Sequence, residues 1–255
     1  MKKFVLKVVL ISSVAALPFI SFAQDEKVKD KEKKEWKDKE WKDKKQIEGS
    51  GNIVTKDVAV QSFSELKASG VFSVYLEQGN AETVRIEADD NFQPLFEVKN
   101  EGNKLIVKMQ DDVSIKTKKG SKGMKVYITF KNLKSMELST VGNVNAEKKL
   151  SFSDLDIKSS SVGSINLNLS AKTLNLDNQS VGTVMLTGAA DDAKIKNNGV
   201  GSLKAYDFVV QRMDISNSGV GSAEVNAEKE LKVRDSFLGK VSNKGNAKRT
   251  NKVVI

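Results

Sequence analysis

Five lysines form the first group of side chains that could do chemistry. They lie in the segment IKTKKGSKGMK, which contains no acidic residue, and they are Lys116, Lys118, Lys119, Lys122 and Lys125. Several ammonium groups on one loop can bind an anion such as an acidic glycan or a lipid phosphate. The same composition is typical of a solvated loop tip, so both interpretations stay open.

Adjacent carboxylates form the second group, at Asp89/Asp90, Asp111/Asp112 and Asp191/Asp192. Neighbouring residues of a strand point to opposite faces of the sheet, and in a loop such residues are ordinary solvated charges. The chain also has no His and no Cys, which excludes thiolate catalysis, disulfides and cysteine metal sites. We therefore expect no enzyme and no cofactor. An enzyme acting on polysaccharides is the alternative.

The net charge of +9 comes mostly from the two ends of the chain. Residues 1–23 contribute +3 and residues 24–46 contribute 10 − 8 = +2, which leaves +4 for residues 47–255. The last sixteen residues hold five basic residues and no acid, so the part before them is close to neutral. Because the charge is concentrated at the ends, we expect no nucleic acid partner.

Residues 1–23, MKKFVLKVVLISSVAALPFISFA, have the parts of an export signal peptide. Lysines precede an apolar run, and Ser21 and Ala23 supply the small residues needed before a cleavage site. A membrane anchor is the alternative, but the apolar run is shorter than the roughly 20 residues that cross a bilayer. We expect cleavage after Ala23 and no transmembrane segment in the mature chain. The predicted location is the periplasm, the outer membrane surface or the extracellular space.

Residues 24–46 are almost entirely Lys, Asp and Glu and contain the segment KEWKD twice. Such a stretch cannot bury enough apolar surface to fold by itself, so we expect a disordered tether. Trp36 and Trp41 would lie about 140° apart on a helix, which disfavours an amphipathic membrane helix. Contact of these two rings with a glycan or a lipid headgroup is the alternative to a plain spacer.

The C-terminal part, residues 136–255, repeats itself. Five segments align, and their first residues, 19, 19, 20 and 18 positions apart, are Leu155, Leu174, Ala193, Met213 and Leu231. A shortened copy begins at Met136. Apolar and polar residues alternate inside each copy, which indicates strands, and the unit is too short for a pair of helices. The sequence predicts an all-β fold with a β-helix-like solenoid of about 19 residues per coil in this half.

Stacking the copies aligns residues of one kind into columns. One aliphatic column is Ile157, Leu176, Ile195, Ile215 and Val233, and a second is Val162, Val181, Val200, Val220 and Leu238. We expect both columns to form the core. Polar residues lie between them, and Lys158, Asp177 and Lys196 should meet across neighbouring coils as opposite charges.

Two further columns predict the corners of the coils. Side chains that can bond turn backbone or tolerate left-handed geometry occupy one, at Ser159, Asn178, Asn197, Asn217 and Asp235. Glycines occupy the other, where a sharp bend or a positive φ is expected, at Gly142, Gly163, Gly182, Gly201, Gly221 and Gly239. The differences in repeat length all fall between this glycine and the next copy, which places the variable loop there. Each of these glycines follows a Val, or Leu238 in the last copy. A phosphate-binding loop is the alternative for this Val-Gly motif, but no helix follows any copy.

Residues 47–135 are β-rich without a visible repeat, and we expect them to be continuous with the solenoid. The segments VFSVYL, TVRIEA and KVYITF alternate, and residues 96–109 indicate a hairpin that turns at residues 100–103.

Several segments together resemble the head GIN domain family of putative auto-transporter adhesins. They are FSELKASGVFSVYLEQG (63–79), VRIEADDN (84–91), NEGNKLIV (100–107) and the later glycine-bearing repeats, and they cover roughly residues 52–243. The resemblance implies a β-helix-like exported domain of Gram-negative bacteria and brings no catalytic residues.

These observations favour a non-catalytic binding or structural module of the cell envelope or surface, adhesin-like and with a glycan or another envelope protein as its partner. A long repetitive β surface offers an extended ligand such as a glycan the same chemistry at every coil. The alternative is a polysaccharide-active enzyme on a β-helix, since fold does not decide function.

Overall fold

A computed structural model describes residues 45–118, 123–236 and 238–251. The predicted signal peptide and the predicted tether before Lys45 therefore lie outside the described residues, as do Lys119 and Lys122. The chain from Gln46 onward forms one compact unit. Within the described ranges, no helix is long and apolar enough to cross a membrane.

The N-terminal half consists of short strands and a 3-10 turn at Gln93–Leu95 between the fifth and sixth of them. In chain order the strands are β1 (Lys45–Glu48), β2 (Ile53–Val58), β3 (Glu65–Gly70), β4 (Ser73–Gln78), β5 (Thr83–Asp89), β6 (Phe96–Glu101), β7 (Lys104–Met109), β8 (Val113–Lys116) and β9 (Lys125–Phe130). Most of them alternate between buried and exposed residues, as the sequence pattern predicts.

The C-terminal half begins with one short strand, continues with long strands and ends with two very short ones. They are β10 (Ser135–Thr140), β11 (Val144–Ser159), β12 (Ile165–Asn178), β13 (Val184–Asn197), β14 (Leu203–Asn217), β15 (Ala223–Asp235), β16 (Val241–Asn243) and β17 (Arg249–Asn251). Strand β11 pairs with β4 near its start and with β10 near its end. One long strand therefore passes along two walls of the coil.

All neighbouring strands from β10 to β15 are parallel and in register, which makes this half a β-solenoid. Leu155 pairs with Leu174, which pairs with Ala193, and the same column continues through Met213 to Leu231. These are the first residues of the five predicted repeats, so the predicted stacking is confirmed. The register shifts fall between the Val-Gly glycine and the next copy, at residues 146–150, 185–187 and 204–212, where the sequence places the length differences.

The N-terminal half continues the same sheet, as predicted. Strand β3 pairs parallel with β10, placing Leu66 opposite Met136, and on its other side it pairs with β7. Strand β4 pairs parallel with β9. Antiparallel partners then follow, because β5 and β2 extend the sheet beyond β9, and β6 forms the predicted hairpin with β7.

The first aliphatic column forms the core, as predicted. Ile157, Leu176, Ile195, Ile215 and Val233 are at most 3% exposed. Removing such side chains from water is the main source of stability for a domain without disulfides.

The second aliphatic column lies on the surface, so its assignment to the core is wrong. Val162, Val181, Val200 and Val220 are 50–52% exposed, and Leu238 is 61% exposed. The reason is the period of two: starting from buried Ile157, the inward positions are 159 and 161, which places residue 162 outward. The aliphatic character of Val162 suggested burial, but its position along the strand decided its orientation.

The column of Ser and Asn side chains lies inside the coil. Asn178 donates from Nδ2 to Oδ1 of Asn197 at 2.7 Å, and Asn197 donates to Oδ1 of Asn217 at 2.7 Å. Asn178 also accepts a bond from the backbone N–H of Ser180, so the prediction that these residues satisfy corner backbone is confirmed there. The expectation of left-handed geometry is wrong for them, because positive φ angles occur only at glycines in the described ranges.

The glycine column has the predicted positive φ at Gly142, Gly163, Gly182, Gly201 and Gly221, but not at Gly239. Gly182 and Gly201 have φ angles of 137° and 131°, a region that L side chains rarely adopt. A Cβ atom on Gly201 would lie 2.0 Å from the carbonyl oxygen of Gly182 in the preceding coil. Glycine is therefore required both by the backbone angle and by the close approach of adjacent coils.

Candidate functional site

A tyrosine pocket lies on the outer surface where the two halves of the sheet meet. Tyr75 of β4 and Tyr127 of β9 are register partners on parallel strands. Their rings stack with centroids 4.9 Å apart and planes at 22°. The pocket has a volume of about 360 Å³, and its walls also include Thr129, Asn145 and Glu147.

The rim of this pocket is polar. Lys148 and Glu77 form an ion pair with Nζ and Oε1 2.5 Å apart. On the next strand, Asn145 pairs in register with Tyr75, and its Oδ1 accepts a bond from Nδ2 of Asn166 at 3.0 Å. Two aromatic rings, one amide, two carboxylates and one ammonium group therefore line this cavity.

Burial and one neighbouring carboxylate raise the pKa of Tyr127. Burial and the carboxylate of Glu87 both raise the pKa of the Tyr127 hydroxyl, whose oxygen lies 3.4 Å from Glu87 Oε2. Lys125 binds the same carboxylate at 2.6 Å, and this hydrogen bond raises the pKa of the Lys125 ammonium. The hydroxyl is thus a hydrogen-bond donor throughout the neutral pH range.

A larger, charged groove lies over the last halves of β11, β12 and β13. Its volume is about 500 Å³, and it is lined by Asp156, Lys158, Asn175, Asp177, Lys194 and Lys196. The register places Asp177 between Lys158 and Lys196, as predicted. No direct ion pair within 4 Å joins these three described side chains, and Oδ1 of Asp177 is buried without a hydrogen-bond partner.

The five candidate lysines are only partly placed. Lys116 pairs with Glu48 at 3.0 Å, Lys118 donates to the backbone oxygen of Ser50, and Lys125 pairs with Glu87. Lys119 and Lys122 lie outside the described residues. The loop as an anion site stays a prediction.

The acidic pairs serve structural contacts where the structure describes them. Asp89 accepts a bond from the backbone N–H of Gly51, and Asp192 binds Arg212 through two hydrogen bonds of 2.6 Å. The hydrogen bond from Arg212 lowers the pKa of Asp192. In the described part, the carboxyl groups with a resolved pKa shift are all shifted downward, at Asp90, Glu97, Glu101, Asp192 and Asp235.

Sequence reasoning missed the tyrosine pocket because its residues are far apart in the chain. Tyr75 and Tyr127 are separated by four intervening strands. The available signal was weak: in VFSVYL and KVYITF each tyrosine occupies the outward phase of the alternation, where polar residues are usual.

Comparison with solved structures gives the same fold. A putative adhesin from Bacteroides fragilis is 29% identical, with a TM-score of 0.69 over 81% of this chain and 100% of that one. A putative adhesin from Parabacteroides distasonis is 20% identical, with a TM-score of 0.62 over 82% and 96% of the two chains. A putative lipid binding protein from the same species is 17% identical, with a TM-score of 0.53 over 82% and 100%. The last two show similarity of fold alone.

The sequence comparisons give one family. A search of curated proteins finds no match to this chain. The family described as "Putative auto-transporter adhesin, head GIN domain" matches residues 62–247, which is most of the chain and agrees with the resemblance seen in the segments of residues 52–243. The chain therefore belongs to the head GIN domain family.

Proposed function

We propose that this chain is an exported, non-catalytic, adhesin-like module of the bacterial cell envelope or surface, and that it binds a glycan at the tyrosine pocket. Its family supports the adhesin-like role, and the signal features of residues 1–23 support export. The single observation that carries the ligand class is the stacked pair of Tyr75 and Tyr127 beside a polar rim.

A sugar ring has an apolar C–H face and a polar edge, and the pocket offers a partner to each. The tyrosine rings supply apolar surface together with hydroxyl groups. Asn145, Glu77 and Lys148 supply donors and acceptors around the same cavity. Such a combination of apolar lining and a few placed polar groups is typical of small-molecule sites.

An outward column of residues leads from the pocket along the coils. Beyond Asn145, the same outward column passes through Asn166, Met185 and Lys204. Successive residues of this column are about 4.8 Å apart, the spacing of neighbouring strands. An extended polymer can therefore contact one coil after another, which favours a polysaccharide chain over a single sugar.

The carboxylates near the pocket are suited to binding. Glu77 is held in an ion pair with Lys148, and the hydrogen bond to Glu77 raises the pKa of Lys148. A glycoside hydrolase needs one carboxylic acid whose pKa is raised so that it can donate a proton. In this pocket Glu77 is instead engaged with Lys148 as an ion pair.

A glycan array probed with the mature full-length chain tests the ligand class. Tyr75→Ala should abolish retention on the glycans that bind, and Tyr127→Phe should weaken it because only the hydroxyl is lost. Tyr206→Ala is the matched control, since Tyr206 is the remaining tyrosine and its hydroxyl bonds Ser242 outside the pocket. Full retention by the Tyr75→Ala variant, or no glycan bound by the wild type, would contradict the proposal. Release of shortened saccharides would favour the enzymatic alternative.

Export is tested separately in the producing cells. Fractionation should place the chain beyond the inner membrane, and N-terminal sequencing of that material should begin at Gln24. Recovery of the uncleaved chain from the cytoplasm would exclude export.

A further inference from the structure

An exposed ridge of aliphatic side chains runs along one edge of the solenoid. We name as the valine strip the column of Val71, Val141, Val162, Val181, Val200, Val220 and Leu238, which are 44–61% exposed. Parallel bridges join Val141 to Val162 and continue coil by coil to Val220. Val71 extends the column into the N-terminal half, because Val141 bonds the carbonyl oxygen of Gly70 and Val144 pairs with Val74.

The strip is free of charge over a wide area. The five-residue corner segments of six successive coils contain no Asp, Glu, Lys or Arg, and they are residues 69–73, 139–143, 160–164, 179–183, 198–202 and 218–222. In the whole chain 29% of residues are charged, so about nine charges would be expected in thirty residues. Ser, Thr, Asn, Gln and Gly flank the ridge instead. Exposed aliphatic residues in one contiguous patch are typical of an interaction surface.

The strip is also regular and rigid. Neighbouring strands are about 4.8 Å apart, so seven side chains form a comb about 29 Å long. Glycines beside the ridge allow adjacent coils to approach closely, and a Cβ on Gly182 would lie 2.1 Å from the carbonyl oxygen of Gly163. The comb therefore presents its side chains with little loss of backbone entropy on binding.

A second copy of this chain fits such a comb best. Its own strip has the same period, so side chains of one copy can lie between those of the other along the whole length. In a two-fold interface each patch meets itself, which makes a patch with a single sign of charge self-repelling. The valine strip avoids that repulsion because it carries no charge.

The size of the strip sets the strength of the contact. Seven half-exposed side chains with their flanks present about 500 Å² per copy, or about 1,000 Å² for two copies. That is the lower limit for a specific interface, where transient complexes are found. The expected dissociation constant is therefore about 10–500 μM.

We propose that the valine strip is a homotypic contact through which two copies of this chain associate weakly, a role separate from the proposed glycan pocket.

Sedimentation velocity of the mature full-length chain from about 5 μM to about 500 μM tests the contact. The wild type should shift from monomer toward dimer across this range. Val181→Glu with Val200→Glu should remain monomeric, because two like charges would meet their equivalents in the partner. The matched control is Ser170→Glu with Ala189→Glu, which places the same two charges on neighbouring coils at another outward position. It should associate like the wild type.

Three results would overturn the proposal: a wild type that is monomeric throughout, a control that loses association equally, or a strip variant that still dimerises. A further arm varies the salt from about 0.1 M to about 1 M. Association through the strip should persist or strengthen, because salt screens the repulsion between the Lys240 side chains that follow Leu238 at one end of it. Association that disappears with salt would assign the contact to the charged faces.

Unfolding of the strip variant is checked by its melting temperature. If the glutamates lower it, Val181→Ser with Val200→Ser interrupts the middle of the ridge without adding charge and should also weaken association. If the wild type is monomeric, and if the serine variant loses a glycan or vesicle retention that the wild type shows, the strip binds that other partner and the homotypic proposal is wrong.

Discussion

Two aliphatic columns run along the same coils and have opposite environments. Ile195 of the inner column is 1% exposed, whereas Val200 of the valine strip, five residues later in the same coil, is 51% exposed. Between them, the inward positions are taken by Asn197 and Gly199, both buried. The comparison shows that the alternation of the strand, and not the hydrophobicity of each residue, determines which side chains are buried in this solenoid.

The polar inner corner explains how this arrangement remains stable. Burying an amide is costly unless its donors and acceptors are satisfied. Asn178 and Asn197 each donate to the equivalent asparagine of the next coil, so the repeat itself supplies the partners. A single coil could not do this, and the corner is therefore stable only as part of a stack.

The largest expected effect separates the two aliphatic columns directly. Ile195→Asp should cost at least about 4 kcal/mol of unfolding free energy, because it buries a carboxylate without a partner. Val200→Asp should change the unfolding free energy by less than about 1 kcal/mol, since its side chain reaches water. Urea denaturation at low protein concentration measures both. Equal losses in the two variants would show that the inner and outer columns are assigned incorrectly.

A smaller effect is expected at Gly201, the glycine that directly follows Val200 of the valine strip. Gly201→Ala should lower the unfolding free energy by about 2–4 kcal/mol, because the added Cβ meets the Gly182 carbonyl and the φ angle is unfavourable. Gly102→Ala is the control, since Gly102 also has a positive φ but its Cβ would meet nothing within 4 Å. It should cost only about 1 kcal/mol. Thermal unfolding of the pair compares a close-packed glycine with an open one, and equal costs would argue against close packing as the cause.

The inner polar column should show an effect of similar or smaller size. Asn197→Ala removes both 2.7 Å amide bonds and leaves buried groups of Asn178 and Asn217 without partners, at a cost of about 1–3 kcal/mol. Asn198→Ala, at the next and exposed position, should cost less than about 0.5 kcal/mol. Urea midpoints that fall equally in both variants would contradict the asparagine ladder.

The lysine loop should have no effect on stability and an effect on binding alone. If the loop binds anions, charge reversal at Lys118, Lys119 and Lys122 to Glu should abolish salt-sensitive retention on heparin or anionic liposomes. Charge reversal at Lys56, Lys172 and Lys229 is the control, because it changes the net charge equally at exposed positions outside the pocket and the groove. Unchanged retention of the loop variant would leave the loop as a solvated tip.

Much of the solenoid could be predicted from the sequence because its information is local and repeated. The period of about 19 residues, the inner column and the glycine corners each depend on residue type at a fixed spacing, and the register confirms them. The continuity of the two halves could be predicted only in general terms. The pairing of β3 with β10 was not predicted, because no repeat in the sequence relates these two strands.

The orientation of Val162, the burial of Asn178 and the stacking of Tyr75 on Tyr127 were decided by the tertiary structure. Sequence alone determined that the chain is all-β, repetitive and without Cys or His, because composition and period are properties of the linear chain. Whether an outward side chain faces water or a partner, and which distant strands become neighbours, depends on how the coils close. That closure combines β4, β9 and β11, which are far apart in the chain, and only their pairing creates the pocket.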